Sequence, residues 1–340
     1  MTEPEALGRK LTACFLAVTW LLLCTPAFSR VPVWNMAIGD GGGSAQEALG
    51  LYFARLVKER SNDAVEIRLF VNGQLGNEQA TIVDASLGAM DLAVVASNNL
   101  AAFSPSVGLL ALPYLFSSID EAARFVGSSF EQDMIGDARR DVRVRILAWT
   151  FSGFRTLTNS SHPVATLDDL QGLVVRVPRN AIMIETYRAW GINPTPMAWS
   201  ETFTALQQRV VDGQDSPLIA IHSMKFAEVQ PYFTELHYMF LLEPLIMSEA
   251  VFSELEPDMQ ALVLEAGRDA TAFSVAWLTE QESRIRGQLI EEYGVTIGPL
   301  EDEAAWKKLA REQVWPQFYD AVGGRARVEA LLRSLQAPGD

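Results

Sequence analysis

Two arginines carry the clearest chemical signal in this chain. Arg176 falls in Leu173-Val174-Val175-Arg176-Val177-Pro178, where Leu173, Val175 and Val177 alternate with Val174 and Arg176. The alternation predicts a strand that stops at Pro178, which cannot donate to a sheet ladder. A guanidinium near the end of an apolar strand is costly unless something anionic meets it. Its parallel N–H donors match the two oxygens of a carboxylate, so the chemistry on offer is anion binding without a metal. Arg155 lies 21 residues earlier, after the apolar stretch Val142 to Thr150. Each arginine has a second reading, as one half of a structural ion pair.

Catalytic patterns are missing. The three histidines, His162, His222 and His237, form no HExxH and no pair with ligand spacing. The sequence has no Gly-x-Ser-x-Gly elbow. Asp168-Asp169 and Glu201 fall at expected helix starts, where an acid is stabilised by the helix dipole alone. The residues point to binding, with no cofactor, metal or catalytic residue called for.

Several elements must position the arginines. Around Arg176 the order is strand, helix (Ala181 to Trp190, closed by Gly191), loop, helix, turn and strand. Ser200 is the expected cap of the second helix, with Phe203, Leu206 and Val210 on one face. Asp212-Gly213 then turns the chain into Asp215-Ser216-Pro217. Nearer the N-terminus, an apolar strand from Val33 to Ile38 precedes Gly39-Asp40-Gly41-Gly42-Gly43-Ser44 and a helix from Ala45 to Arg60. That glycine run is either a plain turn or a set of N–H groups for an anion; it lacks the Gly-Lys-Ser/Thr of a P-loop. Val65 to Val71 alternates as a strand, and Asn77-Glu78 opens a helix in which Glu78 suits the first turn. Asp91 to Val95 is a buried strand followed by the polar loop Ala96-Ser97-Asn98-Asn99, at the strand end where ligands gather in open α/β sheets. Pro257 to Tyr293 has the periodicity of one long helix, and Glu303 to Leu335 that of an amphipathic helix.

At 340 residues two domains are expected, and a hydrophobic content of 49% provides real cores. The net charge of −15, with no basic block, argues against nucleic acid as a partner. Salt screens such a field beyond about 8 Å, so an anion has to be held by local, sheltered arginines. Arg9 and Lys10 flank a 14-residue apolar run, Leu11 to Cys24, which is short of the roughly 20 residues of a membrane span. With Ala27-Phe28-Ser29 behind it, the segment is expected to be a signal peptide cleaved after Ser29; the alternative is an uncleaved anchor. Cys14 and Cys24 both lie inside it, so the remaining chain has no disulfide and needs a large core.

Several short motifs share one resemblance. VRVP at Arg176, NPTPM ending at Met197, and SETFTALQQRVVDGQ from Ser200 resemble the core of the solute-binding proteins of TRAP (tripartite ATP-independent periplasmic) transporters, the DctP family. Gln74-Leu75-Gly76-Asn77-Glu78, Leu112-Pro113-Tyr114-Leu115-Phe116, Gly153-Phe154-Arg155 with Leu157-Thr158-Asn159, and Glu228-Val229-Gln230 with His237 are similar in the family's order. The resemblance extends from about Trp34 to the C-terminal helices. It implies an α/β, two-domain periplasmic binding protein fold of the type II-like kind, with interleaved domains, a cleft between them and a long helix bracing both. The implied division is a signal peptide at 1–29, domain I at 30–151 plus about 242–281, and domain II at 152–241 plus about 282–340. The implied function is capture of a small organic acid and its delivery to the membrane permease of a TRAP transporter, in the periplasm. Arg176 is then the carboxylate clamp, and Arg155, Glu78, Trp199, Ser216, Asn98 and Asn99 shape the rest of the site. One departure matters. The family commonly has Gly-Gln-Glu-Asn-Pro where this chain has Gly213-Gln214-Asp215-Ser216-Pro217, and Ser216 is shorter than the asparagine that often meets ligand. The identity of the acid therefore does not carry over: C4-dicarboxylates, sugar acids, 2-oxo acids and aromatic acids all stay open. A periplasmic sensor presenting a bound acid to a receptor is the alternative function, and an enzyme acting on a small acid a remote one.

Overall fold

The computed structural model describes residues 31–336, so the leader expected at 1–29 lies outside the described residues. Strand β1 (Val33–Ile38) leads to helix α1 (Ala45–Arg60), β2 (Glu66–Phe70), α2 (Glu78–Ser86) and β3 (Leu92–Val94). Then follow β4 (Val144–Asn159), β5 (Val175–Val177), α3 (Ala181–Ala189), β6 (Thr195–Pro196), β7 (Gly213–Pro217) and α4 (Leu218–Ser223). β8 (Tyr232–Ser248), the 37-residue α5 (Pro257–Tyr293) and β9 (Thr296–Pro299) come next, ahead of the C-terminal helices. Side-chain caps set several of these starts. Ser44, Asn77 and Asn180 accept from the backbone N–H of Glu47, Ala80 and Met183, each satisfying a donor that the first helical turn leaves free. Pro257 opens α5, where its missing N–H costs nothing, and Gly294 closes it in the left-handed region at φ 65°.

The strands form one sheet in the order β2-β1-β3-β8-β4-β7-β5-β6, with β9 also on β8. Its two halves share only β4 and β8. The end of β8 from Leu245 to Met247 pairs with β3, and its start from Tyr232 to Glu235 pairs with β9. β4 correspondingly pairs along its far end, Arg155 to Asn159, with β7. Between the halves the β4–β8 register breaks. Phe154 faces Phe240 while Thr156 faces Glu235, so Leu236 to Met239 drop out of the ladder. Gly153 at φ 100° and His237 at φ 48° absorb the bend.

Apolar faces cover both sides. On the first half Trp34, Met36 and Ile38 of β1 pack with Leu49, Phe53 and Val57 of α1 and with Val263, Ala266 and Ala270 of α5. A β-carbon at Gly267 would meet the carbonyl oxygen of Leu147 at 2.0 Å, so α5 rests on β4 backbone to backbone. Farther along, α5 packs against α4, which belongs to the other half.

Four expectations need correction. β4 runs past the apolar stretch that ends at Thr150 as far as Asn159, because β8, across its register shifts, and β7 supply its partners. Ser97–Leu100 is one turn of helix, not a loop. Ser200 does not cap: it lies in a 3-10 turn, Trp199–Glu201, ahead of a helix at Thr202–Gln207 without a side-chain cap. That helix ends because Arg209 turns left-handed at φ 57°, which leaves Val210 58% exposed instead of on the buried face. The C-terminal stretch is Glu303–Gln313, Trp315–Phe318 and Arg325–Gln336, divided by Pro316 and by Gly323 and Gly324 at φ 96° and 98°.

Candidate functional site

All seven residues singled out in the sequence line one cavity between the two half-sheets: Arg176, Arg155, Glu78, Trp199, Ser216, Asn98 and Asn99. Asp40 and Glu243 line it too. The volume is about 30 Å³, room for a couple of water-sized groups. Clefts of about 640 and 610 Å³ lie elsewhere, and neither contains Arg155 or Arg176.

Arg176 is 1% exposed on the short β5, which pairs with β6 and β7. Its Nε and Nη2 donate to the carbonyl of Met197, at 3.2 and 2.7 Å. Nη1 has no hydrogen-bond partner among the described residues. The Trp199 ring lies 5.5 Å from its guanidinium carbon, a cation–π distance. Burial, and then the charge of Arg155, push Arg176 down to about 9, so it is charged at neutral pH and under-compensated.

Arg155 is differently placed. Its Nε donates to Asp215 Oδ2 at 2.6 Å and its Nη2 to the Asp215 carbonyl, with the side chains 3% and 0% exposed. Tyr238 Oη donates to the same carboxylate oxygen at 2.5 Å. Burial opposes the charge on Arg155, but Asp215 and Tyr238 outweigh it and hold the group above its ordinary value. Arg155 is thus one half of a structural ion pair, and Arg176 carries a buried donor, Nη1, without a partner among the described residues.

Glu78, first residue of α2, is 5% exposed and is satisfied by protein: Asn99 Nδ2 at 2.5 Å, Ala96 N at 2.9 Å and Gln46 Nε2 at 3.3 Å. Burial pushes it up, and these donors pull it back. Glu243 accepts from Gln46 Nε2 at 2.8 Å and from Ser152 Oγ. Burial and the neighbouring Glu78 raise it to about 7. Ser216 turns its hydroxyl toward Gln214 Oε1 at 2.7 Å and the Asp215 carbonyl at 2.6 Å. Trp199 Nε1 and Asn98 Oδ1 are buried without a hydrogen-bond partner among the described residues. Trp199 N–H faces Asp40 and eases its carboxylate down, without closing a bond of ordinary geometry.

Asp40, Glu243, Gln46 and Asn180 are absent from the sequence-derived set. Gln46 joins Glu243 from 197 residues away, a contact that no local pattern announces. Asn180 Nδ2 donates to the Asn98 carbonyl at 2.9 Å while its Oδ1 caps α3, so one side chain ties the Ser97–Leu100 turn to the other wall. The glycine run does form a turn, with the Ser44 N–H on the Gly41 carbonyl at 3.3 Å and Gly43 at φ 83°, and two of its glycines are also required by their surroundings. A β-carbon at Gly39 would meet Glu78 Oε1 at 2.7 Å, and one at Gly41 the carbonyl oxygen of Ser223 on the opposite wall at 2.4 Å. Among the described residues no cluster of His, Cys, Asp and Glu is arranged to hold a metal.

A split sheet on two shared strands, with an unspent guanidinium between the halves, defines a binding protein for anionic solutes. The chain belongs to the bacterial extracellular solute-binding protein family 7, DctP, whose model matches residues 42–321. It is 29% identical over 270 residues to the 2,3-diketo-L-gulonate-binding periplasmic protein YiaO of Escherichia coli, covering 79% of this chain and 82% of that one. Among solved structures it is similar to a TRAP periplasmic solute-binding protein from Polaromonas, bound to D-erythronate, with 27% identity, TM-score 0.85, and 90% and 100% of the two chains covered. A TRAP solute-binding protein from Roseobacter denitrificans with bound L-galactonate matches at 28% identity and TM-score 0.83, over 89% and 99%. Among the described residues no helix is long and apolar enough to cross a membrane.

Proposed function

We propose that this protein captures a polyhydroxy monocarboxylate of the sugar-acid class and passes it, chemically unchanged, to the membrane subunits of a TRAP transporter. The observation that carries the reading is Arg176 Nη1, a buried cationic donor without a partner among the described residues, in a cavity whose other arginine is already paired. A carboxylate supplies the missing acceptor and the missing charge. Erythronate and galactonate in similar proteins support the class. Export to the periplasm after loss of residues 1–29 fits the family.

The reading includes motion. A four-carbon acid needs more room than about 30 Å³, so its entry requires the walls to part. The proposed lobes are 30–151 plus about 242–281, and 152–241 plus about 282–340. The shared strands β4 and β8, bent at Gly153 and His237, support a hinge there.

The test is thermal shift and calorimetry on the purified protein with D-erythronate, L-galactonate and D-glucuronate, repeated on Arg176→Ala. Ligand at about 100 times its Kd adds roughly 2.7 kcal/mol of stability. Loss of the buried partner is expected to cost roughly 2–5 kcal/mol, about 30- to several-thousand-fold in affinity. Equal binding by Arg176→Ala overturns the reading.

A further inference from the structure

Buried polar atoms in the cavity divide into spent and unspent. Both Glu78 and Glu243 have their oxygens occupied by protein donors. Arg176 Nη1 and Trp199 Nε1 are unspent donors, and Asn98 Oδ1 is an unspent acceptor. Asp40 is the remaining case. It is 4% exposed and lines the cavity, its backbone N–H donates to Gln46 Oε1 at 3.1 Å, and its carboxyl, faced by the Trp199 N–H, accepts no hydrogen bond of ordinary geometry among the described residues. Buried acceptors are rarely left unmet, because the loss of water costs more than an average hydrogen bond returns. The unspent set therefore describes its complement: an acceptor group for Arg176, and O–H donors for Asn98 and for the Asp40 carboxyl, which the Trp199 N–H faces without bonding.

We propose that Asp40 is a specificity-determining residue, which accepts a hydroxyl of the bound acid while the acid's carboxylate meets Arg176. This rests on the reading of the cavity as a carboxylate site. Two selections follow. A hydroxy acid is preferred over the plain alkanoic acid of the same length, which leaves Asp40 and Asn98 dry and unpaired. A second carboxylate is disfavoured, because it would enter beside Asp40, Glu78 and Glu243, and Arg155, the cation that faces Asp40 and Glu243, is already paired with Asp215. Burial and the two glutamates push the Asp40 carboxyl well up; a protonated carboxyl keeps its carbonyl oxygen as an acceptor, so the hydroxyl preference holds in both states.

The experiment compares ratios of affinity, by calorimetry and thermal shift, for wild type, Asp40→Ala, Asp40→Asn and Arg176→Gln. The probes are D-erythronate against butanoate, L-galactonate against hexanoate, and D-erythronate against tartrate. Wild type is expected to prefer the hydroxy acid to its alkanoic counterpart by about 100-fold or more. Asp40→Ala is expected to cut that preference by about 10-fold or more and to narrow the gap between erythronate and tartrate. Asp40→Asn, which keeps a carbonyl oxygen, is expected to restore part of the hydroxyl preference but not the rejection of tartrate. A merely structural role would weaken every probe alike. Unchanged ratios in Asp40→Ala, with binding still lost in Arg176→Gln, overturn this inference alone. Normal binding by Arg176→Gln overturns the carboxylate-site reading instead, and failure of wild type to bind any hydroxy acid overturns both.

Discussion

Asp215 holds Arg155 in a fully buried ion pair, Nε to Oδ2 at 2.6 Å, whereas Arg176 Nη1 has no partner among the described residues. The pair sits where β4 meets β7, with Arg155 beside Pro217 and Leu157 beside Asp215 in the ladder. Removing one partner leaves a charge with no water to take it. Asp215→Asn is expected to lower the unfolding free energy by about 3–5 kcal/mol, read from the urea midpoint. A loss below about 1 kcal/mol would mean that Arg155 finds another partner and that its pairing is not structural.

Asn180 offers a separable test of wall-to-wall contact. Asn180→Ser keeps an oxygen for the N-cap of α3 but removes the donor to the Asn98 carbonyl. Ligand-free stability is expected to stay within about 0.5 kcal/mol, while affinity for a bound sugar acid falls by about 2- to 10-fold, the worth of one ordinary hydrogen bond. Calorimetry and urea unfolding on the same preparation distinguish the two. An unchanged affinity would remove this contact from the bound state.

Gly41 is a steric test of the same approach. An alanine there would bring a methyl to within 2.4 Å of the Ser223 carbonyl oxygen. Gly41→Ala is expected to fold normally, with affinity lowered about 10-fold or more, and small-angle scattering is expected to show no ligand-induced compaction. Compaction equal to that of wild type would show that the walls never meet at this point.

Acidity gives a signed prediction. Glu243 is raised from 4.5 to about 7, chiefly by burial and then by Glu78. Between those values the folded state binds the proton and the unfolded state does not, so this group's stabilisation is complete below about 4.5 and is lost as the pH rises to about 7. The change is roughly 3 kcal/mol. Across that window the difference in unfolding free energy, wild type minus Glu243→Gln, is therefore expected to fall in ligand-free protein. A flat difference would mean that Glu243 titrates as an ordinary surface acid.

The elements around the site were legible because their signals are local. Alternation around Arg176, the asparagine at the start of α2 and the periodicity from Pro257 to Tyr293 each depend on residues a few positions apart. Partners were not legible. Arg155 meets Asp215 across 60 residues of chain, and Gln46 meets Glu243 across 197. Asp40 lay hidden among glycines that suggest a turn, and only the opposing surfaces of Glu78 and Ser223 explain why those glycines are needed. Val210 misled because helical periodicity carries no sign of where Arg209 ends the helix.

Gly267 has a mechanical consequence. Where α5 presses on Leu147 there is no side chain between the two backbones, and even a methyl group has no place. A helix seated so closely cannot glide along the strand without climbing over a carbonyl, but it can rock about the point of contact. The long helix is thereby a lever with its fulcrum on one half of the sheet and its far arm against α4 on the other. Any larger residue at position 267 would lift the fulcrum and set the resting gap of the cleft from 24 residues of sequence beyond Glu243, the nearest residue that lines the cavity.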